Sequence, residues 1–350
     1  MKGGFKMKKK ILGYVGSSGI VTEQDAKNLT HINAAFGYLH EDGRITVDHL
    51  EGFTSQMEQI CRWNPDIKIV VSIVNAPGEA NAFTLCAALP ELRKAAAESC
   101  VEMIRDKGFD GVDFDWEYPC VPSNGMNCTP DDKQNFTLFC REVRRAVDGF
   151  RKGSLVTIAA GADLYYVESV ELPELAKILD YICLMTYDLK CGFHALAGHH
   201  TSLYSSTGDV FRNSCDQALR LFHAAGVPKE KLLMGAAFYS RKWEGIQDRN
   251  HGLLQICKTG GGYGPDYDGL VADCIDKNGY VRYWDDEAKA PWLFNGSTFL
   301  SYDDEESIRC KCEYIQEEGY GGIFYWEHKC DTSGRLLSVM HENLGCGCCK

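Results

Sequence analysis

The sequence predicts an α/β protein, a (β/α)8 TIM barrel with a small α+β insertion between the seventh strand and the last helix. Three observations carry this reading. Eight short apolar runs alternate with helical stretches, acids crowd the end of the fourth run, and one long interval breaks the rhythm. Strands are expected at 11–15, 31–38, 67–74, 111–117, 155–160, 181–186, 232–239 and 322–326. Helices are expected between them, most clearly at 24–28, 53–64, 88–107, 131–150, 172–179, 215–225 and 307–319. No Gly-x-Gly-x-x-Gly fingerprint follows the first strand, which argues against a dinucleotide-binding sheet. The interval 244–297 is rich in Gly, Asp, Tyr and Trp, with turn signals at 260–265 and 277–279. The barrel is thus expected over 11–243 and 298–344, the insertion over 244–297 and a cysteine-rich tail over 345–350. No repeat or low-complexity linker marks a separate binding module.

The stretch Asp110-Gly-Val-Asp113-Phe-Asp115-Trp-Glu117-Tyr-Pro119 places four carboxylates within eight residues. Side chains alternate along a strand, so Asp113, Asp115 and Glu117 share one face, with Val112, Phe114 and Trp116 on the other. Carboxylates this close raise one another's pKa and keep one of them protonated, ready to donate. The bland alternative is an edge strand with a solvated acidic face. The apolar parity with Trp116 opposes it, because that face calls for burial. Asp110 has the wrong parity and is expected to fix the strand's start. In a (β/α)8 barrel the active site lies at the C-terminal strand ends. Those ends supply Asp115 and Glu117, then Met185-Thr-Tyr187-Asp188, Tyr239-Ser-Arg241 and Tyr325-Trp326-Glu327. Acids, hydroxyls, a guanidinium and aromatic faces make a carbohydrate site rather than a metal site.

Composition narrows the partners. The chain has 350 residues, 45% apolar and 25% charged, as for an ordinary globular protein, and no apolar run spans a bilayer. A net charge of −12 argues against nucleic acid or an anionic membrane as partner. The basic residues before Ile11 lack the apolar segment of a secretory signal, so a cytoplasmic protein, or a secreted one already stripped of its leader, is expected. Of the 17 cysteines, Cys100, Cys140 and Cys183 sit in apolar settings and read as buried thiols. Cys120 and Cys128 flank one loop and could pair in an oxidising compartment. The tail Gly345-Cys-Gly-Cys-Cys-Lys350 offers soft ligands but no second cluster to complete a metal site. Asn28, Asn127, Asn135 and Asn295 head glycosylation triplets at a frequency chance supplies.

From Ile11 to Leu344 these motifs resemble glycoside hydrolase family 18, the chitinase family. Asp110-Gly-Val-Asp-Phe-Asp-Trp-Glu117 matches the family signature fully. Met185-Thr-Tyr-Asp188, Phe238-Tyr239-Ser-Arg241 with Trp243, Phe324-Tyr-Trp326, and Trp284-Asp285 with Pro291 are supporting matches. The resemblance implies a retaining, substrate-assisted hydrolase of β-1,4-linked N-acetylglucosamine, in chitin or its oligosaccharides, outside the usual two-carboxylate scheme. It implies Glu117 as the acid, Asp115 holding the acetamido N–H, Asp113 sharing a proton with Asp115, and Tyr187 bonding the acetamido oxygen. It implies Trp326 as the floor under the cleaved sugar, Asp188 and Arg241 on sugar polar groups, and Tyr14 and Ser72 supporting the acids. Tyr239, Met185, Phe36 and Trp284 complete the expected substrate contacts. Phe36 and Met185 are equally readable as core, and Trp284 as the insertion's own packing. His194, His199 and His200, with Cys191, invite a metal reading. The family carries a similar Gly-His motif without metal, so loop packing or cleft-edge contact is preferred and no cofactor is expected.

One departure stands out. After the third strand the family usually reads Ser-Ile-Gly-Gly and then an aromatic; here it is Ser72-Ile-Val-Asn75-Ala76. The missing aromatic often belongs to the leaving-group side of the cleft, so weaker binding of long polymer is expected there. With neither a leader nor a binding module in view, soluble oligosaccharides are expected over crystalline chitin. Release of glycans at the chitobiose core of N-glycans is the alternative enzyme reading, and bacterial wall glycan is a weaker one. A non-catalytic chitinase-like lectin is the non-enzyme reading, which the intact Glu117 opposes. A monomer is expected.

Overall fold

A computed structural model describes residues 9–123 and 125–345; the cysteines of the tail lie outside the described residues. Eight parallel strands close into a barrel: Lys10–Gly16, His31–Leu39, Lys68–Asn75, Gly111–Phe114, Leu155–Gly161, Ile182–Met185, Leu232–Ala237 and Gly322–Trp326. Each pairs with its sequence neighbours, and the first closes on the eighth with Lys10 opposite Gly322. Helices surround them, as the alternating pattern implies. The strands are apolar on both faces because a parallel sheet is covered on both sides. Leu12, Tyr14, Tyr181, Cys183, Leu233 and Phe324 fill the interior. The outward residues pack under the helices, where Trp116 stacks on Phe83 at 5.2 Å.

Helix ends follow local chemistry. The helix before the eighth strand, Glu305–Glu318, begins at a capping box formed by Asp304 and Ser307. It ends at Gly319, whose φ of 84° is the left-handed conformation glycine adopts without strain. The expected helix 53–64 is two pieces, Glu51–Thr54 and Met57–Trp63. Short helices at Ala82–Ala88, Leu164–Ser169, Tyr267–Asp273 and Arg335–Leu344 were not expected.

Two strand expectations need correction. Ladder pairing in the fourth strand stops at Phe114, opposite Ile73 and Ile158, so Asp115 to Glu117 lead out of the barrel rather than extend it. The seventh strand stops at Ala237. Tyr239–Glu244 then pairs antiparallel with Gly262–Asp266 and Thr298–Ser301. With Ala290–Phe294 and Val281–Asp285 these make a five-stranded sheet. The sheet thus begins before residue 244 and ends after 297, and Tyr239 and Arg241 stand on it, not on a barrel strand. Among the described residues no helix is long and apolar enough to cross a membrane.

Candidate active site

The acids are stacked in depth. Asp113 is fully buried in the barrel mouth, where three hydroxyls hold it. Tyr14 and Ser72 donate to Oδ2 at 2.9 and 2.8 Å, and Thr157 to Oδ1 at 2.6 Å. Burial pushes its pKa up, and the hydroxyls draw it back only in part. Tyr14 and Ser72 are buried beneath it and line no part of the cleft. They act on Asp113, and direct contact with sugar is not open to them. Asp110 accepts from the backbone N–H of Ile69 at 3.0 Å, which fixes the strand's start.

Above Asp113 sits Asp115, whose Oδ1 is buried without a partner. Burial, then the charges of Glu117 and Asp113, push its pKa well up. Burial also raises Glu117, while a hydrogen bond from Tyr118 lowers it and the Asp188 charge raises it. A proton is thereby retained among these carboxyls at pH values where an isolated one has lost it.

Tyr187 follows the sixth strand. Its ring passes Gly235 so closely that a Cβ there would stand 2.9 Å from Cε1. Burial and the nearby carboxyls keep its phenol protonated as a donor. Asp188, with φ of 57°, takes a backbone conformation that Asp tolerates better than most residues. Its carboxylate accepts from Arg241 Nε at 2.6 Å and Tyr239 Oη at 2.7 Å, with His200 Nδ1 3.5 Å away. Burial opposes its charge, but the hydrogen bonds from His200 and Arg241 win and hold it below the usual carboxylate range. The Arg241 guanidinium in turn lies over the Tyr263 ring at 3.8 Å.

The cleft has two lobes. The larger, about 650 Å³, is lined by Phe36, Met185, Tyr187, Asp188, Tyr239, Arg241 and Trp326 among others. Phe36 stacks on Trp326 at 5.3 Å, so it belongs to the cleft rather than to the barrel filling. The smaller, about 380 Å³, opens between residues 74–80 and the loop at Gly125 and Met126. Asp115 and Glu117 line both. Peptide bonds after Ala35, Glu117 and Trp326 are cis, each beside a cleft residue.

Trp284 does not line the cleft. It stands on the outer strand Val281–Asp285, donates to Asp286 Oδ1 at 3.0 Å and lies under Arg282. His194 and Cys191 lie at the edge of the larger lobe, where His194 Nδ1 accepts from Cys191 N at 3.1 Å, and His199 meets Asp285 at 3.2 Å. Among the described residues no group of His, Cys, Asp and Glu is set to hold a metal ion, and the described cysteines are free thiols, Cys120 and Cys128 included. Tyr118, Tyr165, Asp163, Asn213 and Tyr263 line the larger lobe without having been expected there. Tyr118 had a signal, its place next to Glu117. Asp163 caps and Tyr165 stands on the helix Leu164–Ser169, Tyr263 stands on the strand Gly262–Asp266 and Asn213 is on a loop, all in segments whose spacing gave no direction toward the cleft.

A family model for glycosyl hydrolases family 18 matches residues 10–331. The chain belongs to this family. Chitinase A1 of Niallia circulans is 37% identical over 320 residues, which is 85% of this chain and 45% of that protein. Chitinase B of Serratia marcescens is 28% identical, covering 91% of this chain and 77% of that protein. A solved family 18 N-acetylglucosaminidase from Paenibacillus barengoltzii is 47% identical, with a TM-score of 0.91 over 96% of this chain and all of that one. The chain spans about half the length of the first curated relatives it matches, 45%, 55% and 55%. The smaller lobe opens at the exit of the third strand, where the chain reads Ser72-Ile-Val-Asn75-Ala76.

Proposed function

We propose that the protein hydrolyses β-1,4-linked N-acetylglucosamine oligosaccharides with retention, using the substrate's own acetamido group as nucleophile. One observation carries this reading: Asp115, buried with an unpartnered Oδ1, between Asp113 and Glu117 in a cleft shared with Tyr187 and Trp326. The sugar to be cleaved rests on Trp326, whose face suits a ring's apolar side. Glu117 gives its proton to the glycosidic oxygen as the bond to the anomeric carbon breaks. The acetamido oxygen closes on that carbon, forming an oxazolinium ion. Its proximity supplies the nucleophile at high effective concentration. Asp115 accepts the acetamido N–H and balances the cation, while Asp113 shares a proton with it from below. Tyr187 donates to the acetamido oxygen. Water then attacks the anomeric carbon from the face the leaving group vacated, the bond to the acetamido oxygen breaks, and the water's proton passes to Glu117, which lost its own in the first step.

The acid must be protonated to act, so activity is expected to fall as pH rises through the raised Glu117 range. Tyr118 stabilises the charged form of Glu117. Tyr118→Phe should therefore move the alkaline limb of the kcat/KM profile to higher pH, and a limb that moves down or stays put counts against this assignment.

Two supports favour release of single sugars over internal cleavage of long chains: the missing aromatic after the third strand and the 47% identical N-acetylglucosaminidase. The decisive experiment is mass spectrometry of products from N-acetylchitotetraose. Early monomer with trimer supports terminal release, and early dimer supports internal cleavage. An inert enzyme that binds the tetramer supports the lectin reading, and one that neither cleaves nor binds directs the search to glycoproteins.

A further inference from the structure

The smaller lobe is distinguished by its charge. Its lining side chains include three carboxyls, Glu79, Asp115 and Glu117, and no Lys, Arg or His. Glu79 is fixed there: Oε2 accepts from the backbone N–H of Glu41 and Oε1 meets His40 Nδ1, both at 2.6 Å. The bond from Glu41 first, then that from His40, holds its carboxyl below the usual range. Asn75, the other polar side chain in this wall, is already engaged. Its Oδ1 accepts from Phe83 N at 3.0 Å and its amide donates to Ala80 O at 3.4 Å. Nothing in the segment Asn75-Ala-Pro-Gly-Glu79 offers an aromatic face to the apolar side of a sugar or to an acetamido methyl. What the lobe offers is space and the negative charge of Glu79, with Asp115, whose Oδ1 is buried and unpartnered, among its lining residues.

Position gives this a consequence. Asp115 and Glu117 separate the lobe from the one holding Trp326, Met185 and Tyr187. A proton donor stands between the sugar that is attacked and the group that departs, so the smaller lobe lies on the departing side. We infer that this lobe selects a leaving sugar bearing a free ammonium, a glucosamine unit, so that bonds from N-acetylglucosamine to glucosamine in partly deacetylated chitin are preferred over bonds between two N-acetylated units. The inference rests on the hydrolase reading above. It concerns only the departing sugar, since the attacked one must keep its acetamido group.

The test compares two N-acetylchitotriose analogues whose reducing-end unit is glucosamine or N-acetylglucosamine, with cleavage of the last bond followed by mass spectrometry. The wild type should cleave the glucosamine-ended trimer with kcat/KM about threefold higher at low salt, mostly through KM, the size expected of partly exposed charge pairs. The ratio should fall towards one in about 0.5 M sodium chloride, where exposed charges are screened, and in Glu79→Gln. The readout is the ratio between the two trimers within each enzyme, whatever the variant's absolute rate. A wild-type ratio of one or less, or a ratio that neither salt nor Glu79→Gln changes, overturns the inference. Should Glu79→Gln be unstable, the wild-type salt dependence decides alone. Failure to cleave either trimer or the tetraose overturns the hydrolase reading, whereas cleavage without an ammonium preference overturns this inference only.

Discussion

Glu117→Gln is expected to lower kcat on N-acetylchitotetraose by about 10²–10⁴-fold, the usual contribution of a general acid. The variant keeps the shape of the side chain and its place at the mouth of both lobes, so binding of the tetramer should persist. It also relieves the burial of an ionisable group, so thermal stability should not fall. A leaving group that departs without a proton tests the role further. With a nitrophenyl glycoside of N-acetylchitobiose the loss should be much smaller, because a phenolate of low pKa needs little protonation. An equal loss on both substrates, or none on either, would remove Glu117 from the role of acid. The same pair of substrates separates Glu117 from Asp115. Asp115→Asn acts on the acetamido group rather than on the departing oxygen, so its loss should be similar for both.

The barrel and its acids were readable because both rest on short-range patterns. Period-two alternation in Asp113-Phe-Asp115-Trp-Glu117 separates the acid face from the Trp116 face even where regular pairing stops at Phe114. Eight apolar runs buried on both faces leave few architectures open. What the pattern cannot register is where a ladder ends and the chain changes sheets. Residues 232–239 read as one run, yet pairing switches partners around Phe238, and this moves Tyr239 and Arg241 onto the insertion. Trp284 was misplaced for a related reason. An aromatic in an insertion is equally suited to a cleft and to an outer strand, and only the register Trp284 opposite Pro291 decides. Tyr165, Asn213 and Tyr263 reach the cleft through tertiary placement alone. The departure at Asn75 was legible as a missing aromatic. That a charged lobe opens there depends on Glu79 being held by His40 and Glu41, contacts no spacing encodes.

The largest expected loss of stability comes from a residue outside the cleft. Lys311 and Asp303 are at most 1% exposed, with Nζ 2.6 Å from Oδ2. Lys311 also donates to Thr201 Oγ1 at 2.7 Å, and Asp303 accepts from the N–H of Ala237 at 3.1 Å and from Ser307 Oγ at 2.7 Å. One buried pair thus ties together the helix Glu305–Glu318, the end of the seventh strand and the segment after the sixth. Lys311→Met leaves Asp303 buried without its counter-charge, which is expected to cost about 3–5 kcal/mol. The exposed pair Lys27–Glu23 has the same 2.6 Å separation, yet Lys27→Met should cost only about 0.3–0.5 kcal/mol, because water already solvates both charges. Urea unfolding of the two variants measures the contrast, and equal costs would refute it. The loss should also reach the site. Thr201 donates to the carbonyl of Thr186 at 3.1 Å, the residue before Tyr187. Loosening this hub should therefore raise KM for acetylated oligosaccharides at temperatures below the unfolding midpoint, because Tyr187 and Asp188 hang from the same segment.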